Sequence, residues 1–200
     1  MTGSIRRYKI GNMERQKIVF NEEKHTYSYK GKPMSGITGI IGKHVGKDFS
    51  KAGAFVEPYT EFGKQVHKDI EDYLFHGTYP EHPTSRYAVD WNIERFKFKK
   101  VAIYPEVLIG DYDTVATAVD IVIVDEDGWC TLIDTKTGNF DREYCSWQLG
   151  INKYLIEIDG DWRVKDTFVL STKDKFIYRV IPKPIERCKA LIANAKKEKK

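Results

Sequence analysis

Tyr104-Pro105-Glu106, then Val115-Ala116-Thr117-Ala118-Val119-Asp120-Ile121-Val122-Ile123-Val124, then Leu132-Ile133-Asp134-Thr135-Lys136: the rest of the sequence is best read outward from these three segments. Segments 115–124 and 129–136 are rich in β-branched residues and are joined by Asp125-Glu126-Asp127-Gly128. That composition predicts two strands and an Asp-Gly turn, a hairpin. Side chains at i and i+2 of a strand share a face. Asp134 and Lys136 are therefore expected on one face with Cys130 and Leu132, and Asp120 on a face with Ala116, Ala118, Val122 and Val124. A carboxylate among small and apolar neighbours is costly to bury unpaired, so it needs a cation, a metal or water beside it. Three acids and a lysine converging at strand centres have the makings of a metal site that works on phosphate.

The triplet alone carries little. Glu22-Glu23-Lys24 and Glu198-Lys199-Lys200 fit the same pattern, but in charged, turn-like or terminal settings with no apolar strand before them. An isolated Asp–Lys pair reads better as a structural ion pair. What distinguishes Asp134-Thr135-Lys136 is its context: a hydrophobic strand leads into it, and an acid lies on each of two earlier strands.

Two hundred residues fit one domain, 1–200, long enough for a real core. Residues 1–16 are weakly patterned and read as a loose lead-in; the basic run 196–200 reads as a solvated tail. A composition with 41% hydrophobic and 13% aromatic residues is globular rather than disordered. The net charge of +4 permits nucleic-acid binding without requiring it, and Lys97, Lys99 and Lys100 around Phe96 and Phe98 form the more informative local cluster. No apolar run approaches the ~18 residues of a membrane span. The polar, basic start lacks the apolar core of a secretion signal. Cys130, Cys145 and Cys188 are odd in number and show no C-x-x-C spacing, which argues against a disulfide framework and a structural zinc site. The expected location is cytoplasmic.

Around the central segments, a hairpin is expected over Ile18-Val19-Phe20 and His25 to Tyr29, then a short helix over Gly36 to Ile41 capped by Ser35 and stopped by Gly42. In 57–75, Phe62, Val66, Ile70, Tyr73 and Leu74 fall on one helical stripe, with Gly63 and His67 beside it. A mid-helix glycine costs ~1 kcal/mol, so close packing or a ligand is expected near Gly63. A lone helical histidine is more often a satisfied core-edge residue than a ligand. Further helices are expected over Arg86 to Lys99, over Glu143 to Ile158 with Trp147, Ile151, Tyr154, Leu155 and Ile158 inward, and over Ile185 to Ala195. Thr167 to Leu170 and Phe176 to Ile181 read as a second hairpin.

The ordered set is a helix with Gly63-x-x-x-His67, a strand with Glu106, a strand with Asp120, Asp134-Thr135-Lys136, and a helix carrying Gln148. It resembles the PD-(D/E)XK nucleases, above all the RecB-like and phage-exonuclease branch. His25-x-Tyr27, Lys30-Gly31-Lys32 and Ser35-Gly36-Ile37-Thr38-Gly39-Ile40-Ile41 are similar to the N-terminal region of phage-type members, so the likeness spans residues 18–181. The resemblance implies an α/β fold with a central mixed sheet flanked by helices, the restriction-endonuclease-like core. It also implies Mg²⁺ or Mn²⁺ held by Asp120 and Asp134, with Glu106, His67 and the Thr135 carbonyl completing the shell. Lys136 would orient the attacking water or stabilise phosphate charge, and Gln148 would steady Lys136 or the DNA backbone. The implied activity is hydrolysis of DNA phosphodiesters, as an exonuclease of phage-type recombination or repair in a bacterial or phage-infected cell. A single-strand annealing or single-strand binding protein would be the partner. A structure-specific endonuclease and a non-catalytic DNA-binding or inhibitory protein of the same fold are the alternatives. Two departures are notable: the glycine that family members often carry shortly before the second acid is absent from Thr117-Ala118-Val119-Asp120, and Asn152 stands where tyrosine often follows the glutamine. Three scattered cysteines leave no set for the iron–sulfur cluster of some relatives.

Overall fold

A computed structural model describes residues 17–21, 24–46, 57–96, 99–158 and 160–197, with the backbone alone at 57–60 and 92–96. The expected lead-in 1–16, and Glu22, Glu23, Lys97, Phe98 and Glu198 to Lys200, lie outside these residues. The strands are β1 (Ile18–Asn21), β2 (Thr26–Tyr29), β3 (Lys32–Gly36), β4 (Val101–Gly110), β5 (Val115–Asp125), β6 (Trp129–Lys136), β7 (Arg163–Ser171) and β8 (Phe176–Arg179). The helices are α1 (Ile37–His44), α2 (Glu57–His76), α3 (Pro83–Phe96), α4 (Arg142–Glu157) and α5 (Ile185–Lys197). The fold is α/β, with one mixed eight-stranded sheet flanked by helices.

The β5–β6 hairpin forms where its composition places it. Asp125 accepts hydrogen bonds from Asp127 N and Trp129 N, and Gly128 takes the left-handed conformation (φ 79°) that closes the turn. β5 carries β4 antiparallel from Val101↔Asp125 to Gly110↔Ala116, and meets β3 in parallel at Val115 and Ala116. From β6 the chain crosses through α4 to β7, which pairs parallel to β6 as a crossover through a helix allows. Asp141 caps α4 by accepting from Tyr144 N at 2.8 Å.

Two apolar layers cover the sheet. Ile37 and Ile41 of α1, the inner face of α4, and Cys188, Leu191 and Ile192 of α5 pack on Val122, Val124, Cys130 and Leu132. Val66 and Ile70 of α2 with Ala88 and Val89 of α3 pack on Ile121, Ile123, Ile133 and Leu170. The α2 stripe thus buries as its period predicts, with Phe62, Tyr73 and Leu74 half-buried at its margins.

Several local expectations are corrected. Ser35 lies in β3 rather than capping a helix; Gly36 is the cap residue, without a side-chain bond, and α1 runs through Gly42 to His44. α3 begins at Pro83, whose fixed φ suits a first turn, and ends at Phe96. Ile158 is 40% exposed, whereas Cys145, Leu149, Asn152 and Ile156 are buried, because the sheet on one side and α1 and α5 on the other enclose α4. Lys196 and Lys197 belong to α5 rather than to a loose tail, and Lys196 pairs with Asp113, which also takes Lys32.

α4 and the segment before α5 touch at a glycine. A Cβ on Gly150 would lie 2.9 Å from Cys188 Sγ and from both Lys183 N and O, and Lys183 N is itself tied to Ser146 O. Gly150→Ala would gain ~1 kcal/mol of helix propensity against an overpacking cost of ~1–3 kcal/mol. We expect a net loss of about 1 kcal/mol in denaturant unfolding; an increased midpoint would show that the connector yields.

Candidate functional site

The site forms where β5 and β6 part. Their ladder runs from Val124↔Cys130 to Ile121↔Ile133 and stops, while β6 stays paired with β7 as far as Lys136↔Ser171. Beyond that point the Thr135 N–H donates not to a backbone carbonyl of β5 but to the side chain of its Asp120, at Oδ2, 2.6 Å away. Across β5, Glu106 adopts φ 47°, between the pairs Pro105↔Ile121 and Val107↔Val119. A left-handed glutamate inside a strand is strained, and such strain gathers at functional sites.

This irregularity turns both strands over. Before Glu106, Val101 and Ile103 pack toward α2 and α3; after it, Val107 and Ile109 pack in the α1–α4 layer. Val119 and Val122 likewise belong to one layer, while Ala116 packs with Ile18, Tyr27 and Met34. The expectation that Asp120 shares a face with Ala116 and Ala118 as well as with Val122 and Val124 is therefore corrected. Strict alternation fails at Asp120 itself.

His67 reaches this point from α2. Gly63, one turn earlier, lets the helix approach the end of β6: a Cβ there would stand 3.3 Å from Thr137 Oγ1. Close packing thus accounts for this glycine. The imidazole sets Nδ1 3.2 Å from Glu106 Oε1 and 3.7 Å from Asp120 Oδ1, and Nε2 3.3 Å from the Thr135 carbonyl oxygen. Carbonyl and ionised carboxylate oxygens only accept, so beside an ionised Glu106 both ring nitrogens are placed to donate, the arrangement that suits an imidazolium. Burial works against that charge, but Asp120 foremost, with Glu106, outweighs it and raises His67 to about 9.

Asp134 lies apart from this group. It is 2% exposed and forms a closed triangle with Lys136 and Gln148. Lys136 Nζ donates to Asp134 at 3.0 Å and to Gln148 Oε1 at 3.3 Å, and Gln148 Nε2 donates to Asp134 Oδ1 at 2.7 Å. Burial raises Asp134 to about 6 against the lowering effect of Lys136. Burial opposes the Lys136 charge, but Asp134 and then Asp120 hold the ammonium above its ordinary range. Asp120 is also raised, by burial first, with His67 acting against it.

The structure thus brings His67, Glu106, Asp120 and the Thr135 carbonyl together on one side of the Thr135 peptide, and Asp134, Lys136 and Gln148 on the other. His67, Glu106 and Asp120 present ligand atoms all within 4.8 Å of one another, a spacing that could hold a metal ion. The donor set fits: carboxylate and carbonyl oxygens with one imidazole suit a hard or borderline divalent cation. Cys145, with no motif to mark it, stands 4.0 Å from Asp134 Oδ2; burial and Asp134 push its thiol up to about 12, so it is a neutral neighbour rather than a nucleophile. Asn152, one turn after Gln148, is buried, and its Oδ1 finds no partner among the described residues. Of the basic cluster at 97–100, Lys99 and Lys100 precede β4, and Lys100 faces Glu126 at 3.6 Å. Glu106 lies about 20 Å farther along that strand.

No family model matches the chain, and no curated protein matches it. No helix among the described residues is long and apolar enough to cross a membrane.

The proton inventory makes a prediction for metal-free protein. Folded His67 keeps its proton up to about 9, whereas the unfolded ring loses it near 6.5. Folded Asp134 keeps its proton to about 6, above the ~3.9 of an unfolded aspartate. In both windows the folded state binds more protons, so stability is fully present below the unfolded value and is lost as pH rises through the folded one. In chelator, unfolding free energy should fall between pH 6.5 and 9 by up to about 3 kcal/mol. A flat profile would mean that His67 is neutral when folded.

Proposed function

We propose that this chain is a metal-dependent deoxyribonuclease of the PD-(D/E)XK kind, most consistent with an exonuclease of the phage type. The observation that carries the reading is the arrangement around one peptide. Thr135 offers its N–H to Asp120 and its carbonyl to His67, while its neighbours Asp134 and Lys136 face Gln148. Mg²⁺ or Mn²⁺ would be held by His67, Glu106, Asp120 and the Thr135 carbonyl, with Asp134 adjoining. Bound there, a divalent ion supplies charge stabilisation at phosphate and a more acidic water. Lys136 places a fixed positive charge for the scissile phosphate, and Gln148 holds that ammonium in position. Glu106 and Asp120 take up the His67 proton charge when no metal is present. Clustered carboxylates repel phosphate, so pure DNA binding gives no reason for them.

A second reading is favoured by the imidazolium. His67 already satisfies Glu106 and Asp120, so the cluster also works as a structural ion cluster in a non-catalytic protein. End-labelled linear DNA and covalently closed circles, each incubated with Mg²⁺, with Mn²⁺ and with chelator, separate the readings. Cleavage of linear DNA only, abolished by chelator, is expected. Equal cutting of circles would make it an endonuclease. Absence of both cleavage and calorimetric divalent binding would leave the ion cluster.

A further inference from the structure

β8 closes the sheet as an edge strand, where exposed apolar side chains are a liability that proteins usually remove. Yet Phe176 on this edge is 57% exposed. Its ring meets Tyr178 edge-on at 4.9 Å; Tyr178 in turn lies 5.2 Å from Phe140 and beneath the Arg142 guanidinium, at 5.4 Å.

The register ties this shelf to the site. Lys136 pairs with Ser171 and Ser171 with Phe176; Asp134 pairs with Val169 and Val169 with Tyr178. Directly paired residues share a face, so Phe176 continues the row of Lys136 two strands over, about 10 Å away. The residue between them in that row is the small, fully buried Ser171. The connecting turn carries Lys173 and Lys175, the latter at φ 50°, while the nearby acid Asp174 engages Ser171 Oγ and Tyr178 Oη.

We propose that Phe176, backed by Tyr178, is a stacking platform for an unpaired base of single-stranded DNA whose phosphate lies at Lys136. This rests on the nuclease reading and narrows its substrate to a single strand or a frayed end. An aromatic face among cations is how single strands are held without sequence preference, because every base offers a π-face. In a duplex the bases are stacked inward and none is free for the shelf.

The test uses oligodeoxynucleotides with 2-aminopurine at successive positions, titrated into the full chain in chelator so that nothing is cut. A fluorescence change confined to one region of the single strand, and absent with the matching duplex, is expected. Phe176→Ala should remove that change and weaken single-strand binding about tenfold. Phe176→Trp should restore both, and Phe176→Leu, apolar but without a ring, should not. Wild-type binding and fluorescence in Phe176→Ala overturns the platform, as does a variant that weakens duplex binding equally. The readout needs no metal: a working shelf in a protein that never cleaves overturns the nuclease reading alone, and cleavage indifferent to Phe176 overturns the shelf alone.

Discussion

On the nuclease reading, Lys136→Ala is expected to slow metal-dependent DNA cleavage by about two to three orders of magnitude, while DNA affinity changes far less. The ammonium is held by Asp134 and Gln148 rather than by solvent, so its charge is pre-placed. A pre-placed charge at a reacting oxygen is commonly worth ~3–4 kcal/mol. The same triangle means that the variant also removes the partner of a buried carboxylate. Lys136 keeps 27% of its side chain exposed, so the stability loss should be about 3 kcal/mol, the lower end for breaking a buried pair. Asp134 loses its main lowering influence and should protonate at higher pH, which moves the activity profile as well as its height. Lys136→Arg should not restore the rate fully, because guanidinium is a planar fork and not a compact charge. A folded Lys136→Ala protein that cleaves like wild type would make this lysine a structural partner of Asp134 only.

Asp120→Asn should have an effect of similar or greater size through a different route. The carboxylate lies between the Thr135 N–H and the His67 ring, and Asn keeps the shape while removing the charge. On the nuclease reading, divalent binding weakens and cleavage falls on the order of a thousandfold, since metal stabilisation of phosphate charge is worth several kcal/mol. A second readout does not depend on catalysis. Asp120 is the largest influence raising His67, so its neutralisation should bring the ring back toward its ordinary value. The pH dependence of metal-free stability between 6.5 and 9 should then flatten. Loss of cleavage with an unchanged stability profile would separate Asp120 from His67 and contradict the geometry.

The sequence by itself determined the elements whose signals are local. The β-branched runs and Asp-Gly turn marked the 115–136 hairpin, and the 3.6-residue stripe marked α2. The candidate residues were legible as types in order, because acids inside apolar strands are costly and therefore conspicuous. Only the tertiary structure decided how they divide. β3 escaped notice because Pro33, Ser35 and Gly36 read as punctuation, while pairing with β2 and β5 overrides that preference. The reversal of facing in both strands at Glu106 and Asp120 breaks the two-residue period on which any strand reading depends, and nothing in the local composition announces it. His67 meets partners 39 and 68 residues away in the chain, and Gly63 owes its place to Thr137 across a packed interface. Local pattern governs which residues enter a strand or a helix; which of two acids faces the histidine and which faces the lysine depends on where β6 leaves β5, a competition among distant contacts that no single window of sequence contains.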